Sequence, residues 1–271
     1  MTLKLHKPYF IIEQDEPLTY SAAIAAGHVT ACSHRSPDKD TVNEDAAAFI
    51  PLNDQRCIFV VADGAGGSRG GAQAASIAVK TLAKVTADAF AKNEDTLNAI
   101  MTAIDSANNR ILQLGIGAYT TLVVVEVIND TVRTYHIGDS EVLICGSHGK
   151  IKHQTISHSP VGYAVEAGLI DETEALHHEE RHIVSNMLGS EETHITVSTQ
   201  IKLAKYDTLL IASDGLFDNL HRDEIVTLMR KGELHTAAEN LFNQASERMV
   251  NPGREFPSKP DDLTLLLYKN F

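Results

Sequence analysis

The chain has 271 residues, a length that fits one large folded domain or two small ones. Its residues are 43% hydrophobic, which is ordinary for a globular protein. It has 36 Asp and Glu residues against 23 Lys and Arg, which gives a formal net charge of −13. This negative charge argues against a nucleic acid or an anionic membrane as the main partner, so we expect neither. An excess of carboxylates would also follow if many of them were gathered to hold cations.

The N-terminal segment lacks a long apolar stretch followed by a small-residue cleavage site, as a secretory signal would have. No run approaches the roughly 20 apolar residues that a membrane span needs. The three cysteines, Cys32, Cys57 and Cys145, are far apart, and two of them lie in or beside apolar runs. Buried free thiols are therefore expected, rather than a disulfide framework or a zinc site. Together these features favour a soluble, monomeric, cytoplasmic protein.

Short apolar runs rich in β-branched residues predict strands at 57–62, 120–127, 132–137, 142–145, 208–212 and 263–268. Turn-forming sequences, Asn129-Asp130 and Ser147-His148-Gly149, separate consecutive runs, so the strands that they join must be antiparallel. Helical patterns come in two pairs, at 72–90 with 97–114 and at 222–230 with 236–249. Antiparallel strand groups with paired helices predict an α+β layered domain whose helices cover the sheet faces.

Acidic residues recur where these apolar runs begin or end. Asp63, Asp139 and Asp214 stand at the end of a run, whereas Glu44-Asp45 and Asp261-Asp262 directly precede one. A single Asp-Gly is most often only a turn, but a charge at the mouth of a buried strand is costly unless it is paired or bound to a metal. Five such positions favour one shared site. Hard oxygen ligands without Cys or His indicate Mg²⁺ or Mn²⁺.

Five segments in this order resemble the motifs of the type 2C metal-dependent serine/threonine protein phosphatases. They are Asn43-Glu44-Asp45, Asp63-Gly64-Ala65-Gly66-Gly67, Gly138-Asp139-Ser140, Ser213-Asp214-Gly215-Leu216-Phe217-Asp218-Asn219 and Asp261-Asp262-Leu263-Thr264. Their order and spacing match over residues 43–264, which is nearly the whole chain. Residues 158–189 also resemble the flap of bacterial members. The resemblance therefore predicts one phosphatase domain over residues 1–271, with a flap-like segment at about 155–192.

The fold that this resemblance implies is an α+β four-layer sandwich, in which two stacked antiparallel β-sheets are flanked by pairs of α-helices. The implied cofactors are two tightly bound Mg²⁺ or Mn²⁺ ions between the sheets, with a weaker third ion. Asp63 would bridge the two ions and Gly64 would offer its carbonyl oxygen. By the same matching, Asp45, Asp214 and Asp261 would complete the direct or water-mediated shell, Glu44 would hold metal-bound waters, and Asp139 and Asp218 would bind the third ion.

The activity that the resemblance implies is hydrolysis of phosphoserine or phosphothreonine in a phosphorylated protein. Two cations roughly 3.5–4 Å apart lower the pKa of a bridging water and neutralise the phosphoryl oxygens during in-line attack. The expected catalytic residues are Asp45, Asp63, Asp214 and Asp261, and no protein nucleophile is required.

Three positions depart from the family pattern. Asp40 occupies the place of an arginine that usually clamps the substrate phosphate, Ala65 replaces a histidine found in some members, and Glu141 follows Gly-Asp-Ser where arginine is frequent. A phosphate needs a cation besides the metals, and the nearest candidates are Arg35 and Lys39. Arg69, just after the glycine-rich segment, is a weaker candidate.

Other interpretations remain open. His177, His178 and His182 could form a metal site, although a solvated, charged flap explains them better. The glycines at 64–67 match neither common nucleotide-binding pattern. The protein could also be a catalytically silent phosphatase-like scaffold, or a phosphatase of small phosphoesters.

Overall fold

A computed structural model of the protein describes residues 3–65, 70–253 and 256–270. The strands are β1 (Tyr9–Ile12), β2 (Leu18–Ile24), β3 (Gly27–His34), β4 (Asp45–Pro51), β5 (Arg56–Asp63), β6 (Leu122–Ile128), β7 (Thr131–Ile137), β8 (Glu141–Cys145), β9 (Ile151–Gln154), β10 (Thr196–Val197), β11 (Ile201–Lys202), β12 (Thr208–Ala212) and β13 (Leu263–Asn270). The helices are α1 (Gly71–Ala91), α2 (Thr96–Leu112), α3 (Pro160–Glu166), α4 (Glu172–Leu176), α5 (Asp214–Phe217), α6 (Arg222–Met229) and α7 (Leu234–Val250).

The strands form two sheets, and the pairings between the named strands are antiparallel. The first sheet has the order β1-β4-β5-β6-β7-β10, with β11 also paired to β7. The second has the order β2-β3-β13-β12-β8-β9. The predicted hairpins are present, since β6 pairs with β7 across Asn129-Asp130 and β8 pairs with β9 across the turn at Gly149.

Three apolar clusters separate four layers. Between the two sheets, side chains such as Phe59 and Tyr268 pack together, with ring centroids 5.1 Å apart. The other face of the first sheet packs on α1 and α2, and the other face of the second packs on α5, α6 and α7. Because alternate residues of a strand point to opposite faces, a central strand here is apolar on both faces along most of its length. This explains why the middle of β5 and of β12 appears in the sequence as a continuous apolar run, and why β6 is apolar apart from Glu126.

The expected α+β sandwich of two antiparallel sheets covered by helices is confirmed. The four predicted helices lie within two residues of α1, α2, α6 and α7. Strands β1, β2 and β3 have no counterpart among the predicted strands, because sequences such as Leu18–Ile24 mix polar and small residues with apolar ones. Thr120 and Thr121 precede β6 rather than belonging to it, and Thr120 bridges both Gly64 and Leu188.

Residues 155–192 leave the second sheet after β9 and carry two short helices. Ser159 caps α3 by accepting a hydrogen bond from the Gly162 amide. Asp171 and Glu174 form a reciprocal capping box at the start of α4. No helix within the described ranges is long and apolar enough to cross a membrane.

Candidate active site

The acidic residues singled out in the sequence lie at one edge of the sandwich and come from both sheets. In the first sheet Asp45, at the start of β4, pairs with Asp63, at the end of β5. In the second sheet Asp214 follows β12, and Asp261 precedes the neighbouring strand β13. The Ser213 hydroxyl joins the two sheets by donating a 2.7 Å hydrogen bond to Asp45 Oδ2. We call Asp45, Asp63, Asp139, Asp214, Asp218 and Asp261 the acidic centre.

Burial and mutual repulsion perturb this centre. Burial is the main cause that raises the pKa of Asp45 and of Asp63 well above the usual range. Repulsion comes next, and for Asp63 it comes from Asp45, Asp214, Asp261 and Asp139. The pKa values of Asp139 and Asp218 are raised in the same way, and burial with the nearby Asp214 raises that of Asp261 to about 7. So many carboxylates with upward pKa shifts mark a site that lacks enough positive charge of its own.

The donor set fits hard divalent cations. Asp45 Oδ1 and Asp214 Oδ1 are buried and have no hydrogen-bond partner. A buried carboxylate oxygen without a partner is unstable unless a cation or a donor meets it. Oxygen ligands are also those that Mg²⁺ and Mn²⁺ prefer.

A lysine that the sequence analysis did not select lies inside this centre. Lys259 Nζ is 2.5 Å from Asp214 Oδ2, 2.8 Å from Asp218 Oδ2 and 3.2 Å from Asp261 Oδ2. Burial by itself would lower the pKa of Lys259, but the three carboxylates raise it above its usual value, so the side chain is a cation. Among the described residues no three His, Cys, Asp or Glu side chains already form a closed set of metal ligands. Three of the carboxylates are turned toward this ammonium.

A second lysine borders the centre on the side of β4. Lys39 Nζ is 2.6 Å from Glu44 Oε2 and 2.7 Å from Asp262 Oδ2. Asp262 also accepts hydrogen bonds from the backbone amides of Ser36 and Glu44. Asp262 therefore ties the segment before β4 to the start of β13, a role that its place in the sequence beside Asp261 did not reveal.

Of the two candidate phosphate clamps, only Lys39 lies against the acidic residues. Arg35 Nη1 is 3.9 Å from Asp15 and donates to the Thr41 carbonyl at 3.4 Å. Asp40 is exposed, as expected for a carboxylate that would repel a bound phosphate. Arg69, with Gly66 and Gly67 of the glycine-rich motif, lies outside the described residues.

Glu141 is held in an ion pair rather than in the acidic centre. Its carboxylate is 2.9 Å from Arg222 Nη2, whose guanidinium also stacks 4.8 Å from the ring centroid of Phe217. These residues line a cavity of about 310 Å³ between residues 155–192 and the loop after β12, and Asp139, Asp214 and Asp218 form its wall on the side of the acidic centre. A group entering from solvent therefore meets residues 155–192 and the carboxylates together.

Two glycines, Gly64 and Gly71, allow two backbone segments beside the carboxylates to approach each other closely. A Cβ on Gly64 would lie 2.3 Å from the carbonyl carbon of Gly71, and a Cβ on Gly71 would lie 2.4 Å from Glu44 Oε1. No side chain fits at Gly64, because the atoms that a Cβ would meet there belong to the Gly71 backbone, whereas a Cβ at Gly71 would require the Glu44 side chain to move. Thr121 fixes the same corner by accepting a 3.0 Å hydrogen bond from the Asp63 amide.

The structure also contains a group of imidazoles, the buried His136 and His158 with the exposed His194, which we call the histidine cluster. The ring centroid of His158 lies 4.3 Å from that of His136 and 4.8 Å from that of His194. His158 accepts hydrogen bonds at Nδ1 from the Gly138 amide and from the Asn186 side chain, and its Nε2 lies 3.0 Å from Thr196 Oγ1. Sequence reasoning missed this cluster because its members come from three separate segments.

By contrast, His177, His178 and His182 are all exposed. The helix α4 ends at Leu176, so His178 and His182 are not one turn apart on a helix. The solvated interpretation of this histidine-rich sequence therefore describes it better than a metal site.

Comparisons with known proteins agree with the geometry. Residues 33–251 match the family model described as Protein phosphatase 2C. A relative from Streptococcus pyogenes, described as of protein phosphatase 2C type, is 33% identical over 205 residues, which are 72% of this chain and 79% of the relative. The serine/threonine phosphatase stp of Listeria monocytogenes is 27% identical over 83% of this chain and 89% of its own length.

A solved structure shares the fold. The catalytic domain of the serine threonine protein phosphatase PstP, in complex with two manganese ions, superposes with a TM-score of 0.71 at 24% identity. The match covers 89% of this chain and 96% of that domain.

Proposed function

The chain belongs to the protein phosphatase 2C family, and from this premise we propose that it hydrolyses phosphoserine and phosphothreonine in proteins with two divalent cations. The observation that carries the proposal is the acidic centre itself, with buried carboxylate oxygens on Asp45 and Asp214 that have no protein partner. The serine/threonine phosphatase of Listeria monocytogenes and the PstP domain with two manganese ions support the substrate class and the cofactor.

The residues that would hold the two Mg²⁺ or Mn²⁺ ions are Asp63, the carbonyl of Gly64, Asp45, Asp214 and Asp261. When bound, the ions would supply an activated water and would neutralise the phosphoryl oxygens. The chain itself contributes position and charge. Ser213 orients Asp45 through a 2.7 Å hydrogen bond, and Thr121 fixes the Asp63 backbone. Glu44 is proposed to hold water beside these ligands, next to Lys39.

The cavity of about 310 Å³ beside Asp139, Asp214 and Asp218 is proposed to receive the phosphorylated side chain with its neighbouring peptide. Residues 155–192 are then the flap that borders the substrate, within one phosphatase domain spanning residues 1–271. We assign phosphate binding to Lys39, whose ammonium already lies among acidic side chains at the rim, and give Arg35 a weaker part because it faces Asp15. Ala65 offers no acid, so solvent would protonate the leaving alkoxide.

A cytoplasmic monomer remains part of the proposal. The three cysteines are buried free thiols, as expected in a reducing compartment. Burial raises the pKa of Cys32 to about 12 and that of Cys145 to about 11, so neither is activated as a nucleophile.

The test is hydrolysis of a phosphothreonine peptide with Mn²⁺, with and without a chelator. We expect chelator-sensitive turnover that Asp214→Asn removes. The matched control is Asp105→Asn, because Asp105 is an exposed aspartate on α2. Peptide binding without turnover would favour the catalytically silent scaffold. That alternative is supported by Asp40, which stands where the family usually has a phosphate-clamping arginine. Turnover of an aryl phosphate but not of the peptide would favour a phosphatase of small phosphoesters.

A further inference from the structure

Lys259 is held beside the acidic centre by hydrogen bonds to its backbone as well as by the ion pairs of its ammonium. The Asn219 side chain accepts a 2.8 Å hydrogen bond from the Lys259 amide and donates a 2.9 Å hydrogen bond to the Lys259 carbonyl. Asn219 is fully buried, and its own carbonyl accepts from Arg248 at 2.8 Å. The lysine therefore starts from a fixed backbone position rather than from a loose surface loop.

The three carboxylates that meet this ammonium do not all belong to the same proposed ion site. Asp214 and Asp261 are assigned to the two tight ions, whereas Asp218 was expected to hold a weaker third ion together with Asp139. Lys259 Nζ lies 2.8 Å from Asp218 Oδ2. At that distance the ammonium occupies the space in which a cation bound to Asp218 Oδ2 would sit. Asp214 differs because Lys259 meets only its Oδ2, and its Oδ1 has no partner and stays open to a cation. Asp261 Oδ2 is farther from the ammonium, at 3.2 Å.

Charge also separates the two sides of the centre. Asp45 Oδ1 and Asp214 Oδ1 are buried and have no partner, so these two oxygens can still accept a cation. On the Asp218 side an ammonium already supplies the positive charge. A second cation at that point would meet direct repulsion from Lys259, which falls slowly with distance in a partly buried site.

We propose that Lys259 is the resident third cation of this phosphatase and that it limits the acidic centre to two divalent ions. The inference rests on the proposed two-ion function and deepens it, since it assigns to a side chain the charge that a third metal was expected to supply. The ammonium keeps Asp218 neutralised next to Asp139, on the wall of the cavity where the substrate enters.

The test counts bound ions and does not depend on hydrolysis. Purified wild-type chain, Lys259→Met and Lys259→Arg are equilibrated with Mn²⁺, and the bound metal is measured by calorimetric titration and by elemental analysis after dialysis. Methionine keeps an unbranched stem without the charge, and arginine keeps the charge. We expect two ions in the wild type and in Lys259→Arg, and three in Lys259→Met. Adding Asp218→Asn to Lys259→Met should return the count to two.

Each outcome decides the proposal. Three ions in the wild type, or two ions in Lys259→Met, would overturn it. If the wild type binds two ions and Lys259→Met also binds two, only the role of Lys259 fails. If the wild type binds none, the proposed two-ion function fails first. Should Lys259→Met not fold, judged by circular dichroism, Lys259→Gln replaces it, and Asp218→Asn alone gives an independent readout. That single variant should still bind two ions, and loss of a tight ion would place Asp218 in the primary pair.

Discussion

The acidic centre and the histidine cluster are two groups of titratable side chains, and they are built in opposite ways. In the acidic centre, carboxylates repel one another, and Asp45 Oδ1 and Asp214 Oδ1 lack partners. In the histidine cluster, both nitrogens of His158 are engaged by protein groups, and His136 Nε2 donates to the Ile156 carbonyl at 2.8 Å. A group of titratable residues alone therefore does not identify a functional site. Here the acidic centre is distinguished because mutual repulsion and carboxylate oxygens without partners occur in the same place.

The two regions also differ in the direction of their pKa shifts. Burial raises the pKa of Asp63, and burial lowers the pKa of His158 to about 4, so both groups are pushed toward the neutral form. The neutral form suits His158, because it can accept at Nδ1 and donate at Nε2 at once. It does not suit a ligand of a divalent cation, which must be ionised. In the acidic centre the ionised carboxylates are therefore unfavourable by themselves, and binding of a cation would stabilise them.

The largest expected effect comes from removing charge in the acidic centre. Asp63→Asn should lower turnover of a phosphothreonine peptide by at least ~100-fold, about 2.7 kcal/mol of barrier, because metal binding and water activation are lost together. Steady-state kinetics at saturating Mn²⁺ measure this, with Asp105→Asn as the matched control. Retention of more than about a tenth of the wild-type turnover would remove Asp63 from the central role.

The histidine cluster should respond in stability rather than in chemistry. His158→Ala removes the acceptor of the buried Gly138 amide and one of the two acceptors of the buried Asn186 side chain, so hydrogen bonds are lost in the interior. We expect the free energy of unfolding to fall by about 2 kcal/mol in denaturant titrations. His177→Ala, at an exposed histidine, should change it by less than ~0.5 kcal/mol. Equal effects of the two variants would mean that the buried contacts of His158 contribute nothing.

The same histidine predicts a pH dependence of stability. Its pKa is about 4 in the folded protein and about 6.5 in the unfolded chain, so the unfolded chain binds more protons between these values. The contribution of His158 is therefore complete above pH 6.5 and is lost as the pH falls toward 4. We expect the stability difference between the wild type and His158→Ala to shrink by more than ~1 kcal/mol from pH 7 to pH 4.5. A constant difference would contradict the lowered pKa.

The smallest expected effect concerns the phosphate clamp. Lys39→Ala should raise KM for a phosphopeptide several-fold with little change in Mn²⁺ affinity, since it removes substrate binding rather than a metal ligand. Arg35→Ala should raise KM less, because Arg35 faces Asp15. Asp40→Arg should lower KM. If KM is unchanged in all three variants, the metals alone hold the phosphate.

Much of this site could be predicted because its residues stand at strand ends that are legible in the sequence. The middle residues of β5 and β12 are apolar on both faces, so an aspartate that ends such a run is conspicuous. The same logic could not find Lys259, since one lysine in a Pro-containing loop looks like any surface lysine. Nor could it find the histidine cluster, because adjacency in the chain pointed to His177 and His178, whereas pairing of β7 with β10 brings His136 opposite Thr196.

The contact between Gly64 and Gly71 affects how mutational data on this protein should be interpreted. Neither glycine offers a functional group beyond its backbone, yet a Cβ at either would overlap the other segment or Glu44. In a saturation scan scored by activity, Gly64 should tolerate alanine as poorly as Asp63 tolerates asparagine, and Gly71 should tolerate it better because the Glu44 side chain can move. Loss of activity at such a position would come from a steric clash. A map of mutation-sensitive residues would therefore include residues that take no part in the chemistry.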